Sequence, residues 1–134
     1  MNMAEEDSAR RQVERSFAGE LKNALAAHRL GQFEEAERIY RDVLRQQPEH
    51  FDALHMLGMM AAQKQQSALA LELIGRALHV DSSSAAAHSN FGIALQQLGR
   101  VEEAFASYER ALAAQPDFVE ALSNRGNVLR GRST

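Results

Sequence analysis

The sequence predicts an all-α fold of stacked, antiparallel helix pairs, and three observations support this. Hydrophobic residues make up 45% of the 134, and most of them are Ala and Leu, which favour helices, whereas there are only two prolines. Small residues recur at a fixed interval of 34 positions. Between them, apolar residues follow the spacing of one helix face. A repeat of this length is typical of arrays of helix–turn–helix units.

The interval of 34 residues divides the chain into units. Alanine recurs at Ala36, Ala70 and Ala104, and glycine recurs at the same interval from Gly58 to Gly92. We therefore expect a repeat domain over residues 17–130, consisting of units 17–50, 51–84 and 85–118 and a half repeat 119–130. A charged, partly helical segment (1–16) precedes this domain, and a short tail (131–134) follows it.

Each unit predicts two helices. In the third unit, Phe91, Leu95 and Leu98 share one helix face, and Gly99 then interrupts the pattern where a helix end favours a left-handed backbone. The same reasoning along the chain predicts seven helices: Phe17–Arg29, Phe33–Gln46, Phe51–Lys64, Ser67–Val80, Ala85–Leu98, Val101–Ala114 and Val119–Arg130. Val13 and Phe17 continue the apolar spacing backwards from Leu21, so the first helix is expected to start earlier.

The recurring mid-helix glycines call for a packing reason, because Gly costs about 1 kcal/mol relative to Ala inside a helix. Two helices approach closely only where neither carries a large side chain. We therefore expect Gly92 and Ala104 to face each other at the helix crossing.

Composition argues against several classes of function. The net charge is −3 with both signs interspersed, so we expect neither a nucleic acid nor a membrane as partner. The chain lacks cysteine and has no pair of histidines one helical turn apart, so we expect no metal site, and no motif calls for a cofactor. No nucleophile and base are suitably placed, so we expect no catalysis. The most apolar run, Met56–Ala62, is too short to span a bilayer, and we expect a cytoplasmic protein.

The third unit resembles a near-consensus tetratricopeptide repeat (TPR). The resemblance rests on Phe91-Gly92, Gly99, Ala104, Tyr108, Ala111 and Pro116, which occur in the family's order. It extends over residues 17–130 but is weaker in the first unit, where Asn23-Ala24 stands for Leu-Gly, and in the second, where Gln65 replaces the turn glycine. The units most resemble bacterial TPR arms of O-GlcNAc-transferase-like proteins. The resemblance implies a right-handed superhelix of about three and a half repeats.

The resemblance also implies a function, the binding of a peptide or protein segment in a concave groove lined by the first helix of each repeat. The family's groove positions correspond here to Leu25, Arg29, His55, Met59, Asn90, Ile93, Gln97, Asn124 and Asn127. An alternative is that the chain is the N-terminal substrate-recruiting arm of a larger glycosyltransferase-type enzyme.

These residues can be compared with two kinds of peptide-binding groove, a carboxylate clamp and an asparagine ladder. A clamp for a terminal carboxylate needs Lys, Arg and Asn, but Leu21 and Leu25 occupy the corresponding places in the first unit. A ladder of asparagines, each able to bond a peptide backbone, is represented by Asn90 and Asn124. The remaining alternative is that these two asparagines are ordinary polar surface.

The last helix is predicted to leave apolar surface exposed, because no second helix follows it. Leu122, Val128 and Leu129 form the predicted self-association site, with a two-fold homo-oligomer as the expected arrangement. In the competing account, the patch is covered by a further helix of a longer parent protein.

Overall fold

The computed structural model describes residues 2–132, apart from the side chains of residues 13–17 and 132. Over that range the chain forms α-helices and no β-strand. The seven helices are α1 (Met3–Arg29), α2 (Phe33–Gln46), α3 (Phe51–Gln63), α4 (Ser67–Val80), α5 (Ala85–Gln97), α6 (Val101–Ala114) and α7 (Val119–Arg132). The predicted all-α class and the order of the helices are confirmed.

The helices belong to two compact parts, which differ from the 34-residue repeat units of the sequence. We call them unit 1 (residues 2–48) and unit 2 (residues 49–132). In unit 1, α1 packs against α2. In unit 2, α3 packs against α4, α5 lies between α4 and α6, and α7 contacts both α6 and α5. Short turns within each pair require its two helices to run antiparallel.

Helix α1 begins fourteen residues before the first predicted repeat. A capping box stabilises its start, since Glu5 N–H donates to Asn2 Oδ1 at 2.9 Å and Asn2 N–H donates to Glu5 Oε2 at 3.3 Å. The helix is continuous through the predicted boundary at residue 17, so the charged N-terminal segment is part of α1.

The turns inside the three helix pairs share one hydrogen-bond pattern. After α5, Gly99 N–H donates to Gln96 O at 2.9 Å and Arg100 N–H donates to Leu95 O at 2.9 Å, which is a Schellman motif. The same two bonds recur after α1 and after α3. The motif needs a left-handed residue, which is Gly31 (φ 78°), Gly99 (φ 75°) and, without glycine, Gln65 (φ 63°).

The mid-helix glycines make room for a large side chain of the partner helix. A Cβ on Gly92 would lie 2.5 Å from Tyr108 Cε1, and one on Gly58 would lie 2.4 Å from Ile74 Cγ1. We expected Ala104 to face Gly92, but the three atoms nearest to a Cβ at Gly92 all belong to Tyr108. Ala104 is buried in the same cluster as Tyr108, but the ring of Tyr108 occupies the space above the glycine.

Burial of Tyr108 raises the pKa of its phenol to about 12. Its hydroxyl donates to Gln96 Oε1 at 2.5 Å, so the ring is held at both ends. In unit 1, the equivalent positions are Ala24 and Tyr40, and both are buried. The first repeat thus has Ala where the later repeats have Gly.

Candidate functional site: a groove on the first helices of unit 2

A groove of about 630 Å³ runs across the first helix of each repeat in unit 2. Its walls come from α3, α5 and α7. The lining residues are His55, Met59, Ala86, Ser89, Asn90, Ile93, Phe118, Val119, Glu120, Ser123 and Asn124.

The repeat places equivalent side chains side by side in the groove. On α5, Ala86, Asn90 and Ile93 are four and three residues apart, so they share one helix face. One repeat later, Glu120 and Asn124 stand at the offsets of Ala86 and Asn90. The two asparagines of the predicted ladder therefore line one groove.

Residues that end the inter-repeat turns orient the groove helices. Ser84 caps α5, its Oγ accepting from Ala87 N–H at 3.1 Å, and His50 Nδ1 accepts from Ala53 N–H at 3.3 Å at the start of α3. His88 Nε2 lies 2.7 Å from Ser82 O, which ties α5 to the preceding turn. These contacts fix the helix ends from which the groove residues project.

His55 and Asn90 are joined by a hydrogen bond across neighbouring repeats. Asn90 Nδ2 lies 2.9 Å from His55 Nε2. Burial lowers the pKa of His55, and the carboxylate of Asp52 opposes this shift to a smaller extent. The lowered pKa favours the uncharged imidazole. Because Nδ2 of Asn90 can only donate, Nε2 of His55 is the acceptor of this bond.

The rest of the groove is apolar with few charges. Met59 and Ile93 are half-buried, and Ser89 is only 2% exposed, with no hydrogen-bond partner for its Oγ. Glu120 is the charged residue among those lining the groove, and no Lys or Arg lines it. The groove offers amides and apolar surface, with one carboxylate at its α7 wall.

Five of the nine predicted groove residues come together here: His55, Met59, Asn90, Ile93 and Asn124. Gln97 lies outside the lining, because its Oε1 accepts from Ser67 Oγ at 2.6 Å and its Nε2 donates to Ala62 O at 3.3 Å. Asn127 is exposed and accepts a hydrogen bond from Arg130.

The other two predicted groove residues, Leu25 and Arg29, belong to unit 1. Leu25 lies with Ala18 and Leu21 along an apolar depression of about 390 Å³ on α1. Arg29 is exposed in the last turn of the same helix.

Sequence reasoning missed Phe118 and Val119, which line the groove. Phe118 stands at the repeat position of His50 and Ser84, which cap their helices with a side chain. A phenyl ring cannot accept that bond, so only the backbone bond remains at this helix start, from Leu122 N–H to Phe118 O at 3.1 Å, which the other two helices have as well. The sequence signal that could have identified Phe118 is its bulky side chain at a repeat position where the other repeats have a helix-capping residue.

The predicted self-association set is only partly exposed. Leu122 is 41% and Leu129 is 44% exposed, and seven residues separate them, so they share one face of α7. Val128 is 2% exposed and packs with Leu95 and Tyr108. Its assignment to an exposed patch is wrong, because α7 turns this side chain towards α5 and α6.

Over residues 2–132, leaving out the side chains of residues 13–17 and 132, no three His, Cys, Asp or Glu side chains come together as metal ligands would. In the same part of the chain, no helix combines the length and the apolar character needed to cross a membrane.

Known proteins resemble the chain along most of its length. A tetratricopeptide repeat profile matches residues 21–87 and a TPR repeat profile matches residues 96–130. A probable UDP-N-acetylglucosamine–peptide N-acetylglucosaminyltransferase SPINDLY of Solanum lycopersicum is 33% identical over 97 residues, which are 72% of this chain and 10% of that protein. Mouse protein O-mannosyl-transferase TMTC1 is 29% identical over 103 residues, covering 74% of this chain and 11% of the relative.

Solved structures share the fold. A Thermobaculum terrenum O-GlcNAc transferase superposes with a TM-score of 0.84 at 32% identity, covering 87% of this chain and 22% of that one. The first TPR of Spaghetti (RPAP3), bound to an HSP90 peptide, gives 0.83 at 20% identity and covers 90% and 95% of the two chains. The chain spans about a tenth of the length of the curated relatives. With its helix pairs, turns and 34-residue period, the chain belongs to the tetratricopeptide repeat family, has about three and a half repeats, and resembles the arms of O-GlcNAc-transferase-like proteins.

Proposed function

We propose that this chain is a non-catalytic scaffold that binds an extended peptide segment in the groove of unit 2. The observation that carries the proposal is the pair Asn90 and Asn124, which lie one repeat apart in a single groove beside Met59 and Ile93. A primary amide has both donors and an acceptor, which is what a peptide backbone requires.

Charge in the groove narrows the class of peptide. Because Glu120 is the charged lining residue, an acidic segment would be repelled, whereas a neutral or basic segment fits. The proposed ligand therefore differs from a peptide whose terminal carboxylate is bound by Lys and Arg side chains. The HSP90-peptide complex of RPAP3 supports the use of this fold for peptide binding, without indicating the peptide for this chain.

The test begins with a random peptide library displayed on phage and selected against the immobilised chain. Binding of a selected peptide is then measured by calorimetry. We expect Asn90→Ala with Asn124→Ala to weaken binding at least tenfold, since two amides lose their bonds, each worth roughly 1 kcal/mol.

Asn127→Ala is the matched control, because Asn127 is on α7 but outside the groove. It should bind as wild type. If the double variant retains its affinity while both proteins stay folded, the groove is not the binding site.

A second candidate function is favoured by the relatives. They are much longer than this chain, and both relatives described above carry the names of sugar transferases. We infer as an alternative that the chain is the N-terminal substrate-recruiting arm of a larger enzyme of that type. The gene sequence beyond the codon for Thr134 decides this, because a glycosyltransferase domain in the same reading frame is required.

We also propose that the chain self-associates through Leu122 and Leu129. Their exposure on one face of α7 supports a two-fold contact between copies. The patch is smaller than the sequence indicated, since Val128 is buried.

A further inference from the structure

The hydrogen bond between His55 and Asn90 restricts what the groove presents to a peptide. An amide side chain has two N–H donors and one oxygen. With Nε2 of His55 accepting one N–H at 2.9 Å, Asn90 keeps its oxygen and its second N–H for a ligand. An amide free to turn would offer these groups in either orientation.

The next repeat provides an internal comparison. His55 precedes Asn90 by 35 residues, and the residue 35 positions before Asn124 is Ser89. Ser89 Oγ has no hydrogen-bond partner, and no hydrogen bond holds the Asn124 side chain within the described part of the chain. The serine is too short to reach across the repeat, so only the amide of Asn90 is held.

We propose that His55 is a positioning residue of the groove, which fixes the amide of Asn90 with its oxygen and one N–H directed at a peptide backbone. This inference rests on the proposed peptide-binding function. Under this proposal, the amide of Asn90 contacts the peptide in one fixed orientation, whereas the amide of Asn124 can turn to suit the peptide.

Protonation of His55 would reverse the orientation. A charged imidazole donates from Nε2, so the amide of Asn90 must turn its oxygen to it and withdraw that oxygen from the ligand. Asp52, on the same helix, is the charged group that acts on the pKa of His55. Glu120 of α7 is the other titratable group of the groove.

Nuclear magnetic resonance on the full chain tests the orientation without a ligand. At neutral pH, we expect the nitrogen shift of His55 Nε2 to be that of an unprotonated ring nitrogen, with the proton on Nδ1. The side-chain amide of Asn90 should be more ordered than that of Asn124 in the same spectrum. A protonated Nε2 at neutral pH would overturn the proposal, because His55 would then donate to the oxygen of Asn90.

Two substitutions separate positioning from packing, with the phage-selected peptide as probe. His55→Gln places an acceptor near the position of Nε2 and cannot become charged, so it should bind like wild type at neutral pH. His55→Phe keeps an aromatic ring beside Phe51 but has no acceptor, and we expect a roughly three- to tenfold loss of affinity. Below the measured titration midpoint of His55, wild type should weaken towards the Phe variant, whereas the Gln variant should not.

The outcomes also distinguish this proposal from the proposed function. If Asn124→Ala weakens binding but His55→Phe does not, the positioning role is refuted and the groove remains the site. If Asn90→Ala and Asn124→Ala are both without effect, the peptide-binding function itself fails, whatever the state of His55.

Discussion

Individual glycines in these helices have opposite roles, depending on what a side chain would meet. At Gly92 and Gly58, a Cβ would lie within 2.5 Å of the partner helix. At Gly75, a Cβ would lie 3.6 Å from Phe91 Cε2, which is an ordinary contact. Gly75 therefore carries the helix cost of glycine without a packing benefit.

The substitutions Gly75→Ala and Gly92→Ala are thus a matched pair. We expect Gly75→Ala to raise the free energy of unfolding by about 0.5–1 kcal/mol through helix propensity. Gly92→Ala should lower it by about 1–3 kcal/mol, because the ring of Tyr108 must move. Urea denaturation measures both, and effects of the same sign would contradict the packing described for Gly92.

The turn after α3 contains a residue in an unfavourable backbone conformation. Gln65 adopts φ 63° at the position that Gly31 and Gly99 occupy in the other helix pairs. A side chain in this left-handed conformation costs roughly 1 kcal/mol relative to glycine. Gln65→Gly should therefore stabilise the protein by about 1 kcal/mol in urea denaturation.

Gln63→Gly is the control for that substitution, because Gln63 is exposed and helical in the last turn of α3. It should destabilise by up to about 1 kcal/mol. Equal effects of the two substitutions would show that the backbone at Gln65 is not under strain.

At the scale of the element, α4 is a weaker helix than α6. It has no acidic residue in its first turn and contains Gly75, whereas α6 begins with Glu102 and Glu103. Arg100 also bonds Glu103 at the start of α6, with Nη2 2.8 Å from Oε1. Acidic residues near a helix N-terminus stabilise it by about 0.3–1 kcal/mol.

Hydrogen exchange should therefore show Ser67–Val80 opening before Val101–Ala114. The contact of Ser67 with Gln97 partly compensates for the weak start of α4. Greater protection of α4 would mean that packing between α3 and α5 outweighs these local differences.

At the scale of the whole molecule, the exposed leucines of α7 bear on assembly. We expect sedimentation equilibrium to show a dimer of the wild-type chain. The double variant Leu122→Glu, Leu129→Glu should be monomeric, because the two-fold contact would bury two carboxylates from each copy. Val128→Ala is the comparison: it should lower stability by creating a cavity but leave association intact. A wild-type chain that stays monomeric at high concentration would refute the contact.

The sequence by itself determined the helices, their pairing and the offsets of Asn90 and Asn124. These follow from the 34-residue period and from local signals such as Gly31 and Gly99, which act within one or two turns of helix. The seven predicted helices are present, with different C-terminal ends for α3, α5 and α7, and α1 starts early, as the spacing of Val13 and Phe17 indicated.

Only the tertiary structure decided which side chains meet. The contact of Gly92 with Tyr108, the burial of Val128 and the bond of His55 to Asn90 depend on side-chain length and on how neighbouring helices are rotated. The repeat gives His55 and Ser89 the same offset, yet His55 bonds the next repeat while Ser89 Oγ remains unpaired. A periodic pattern assigns positions, whereas the reach of each side chain across the gap between helices decides the contacts.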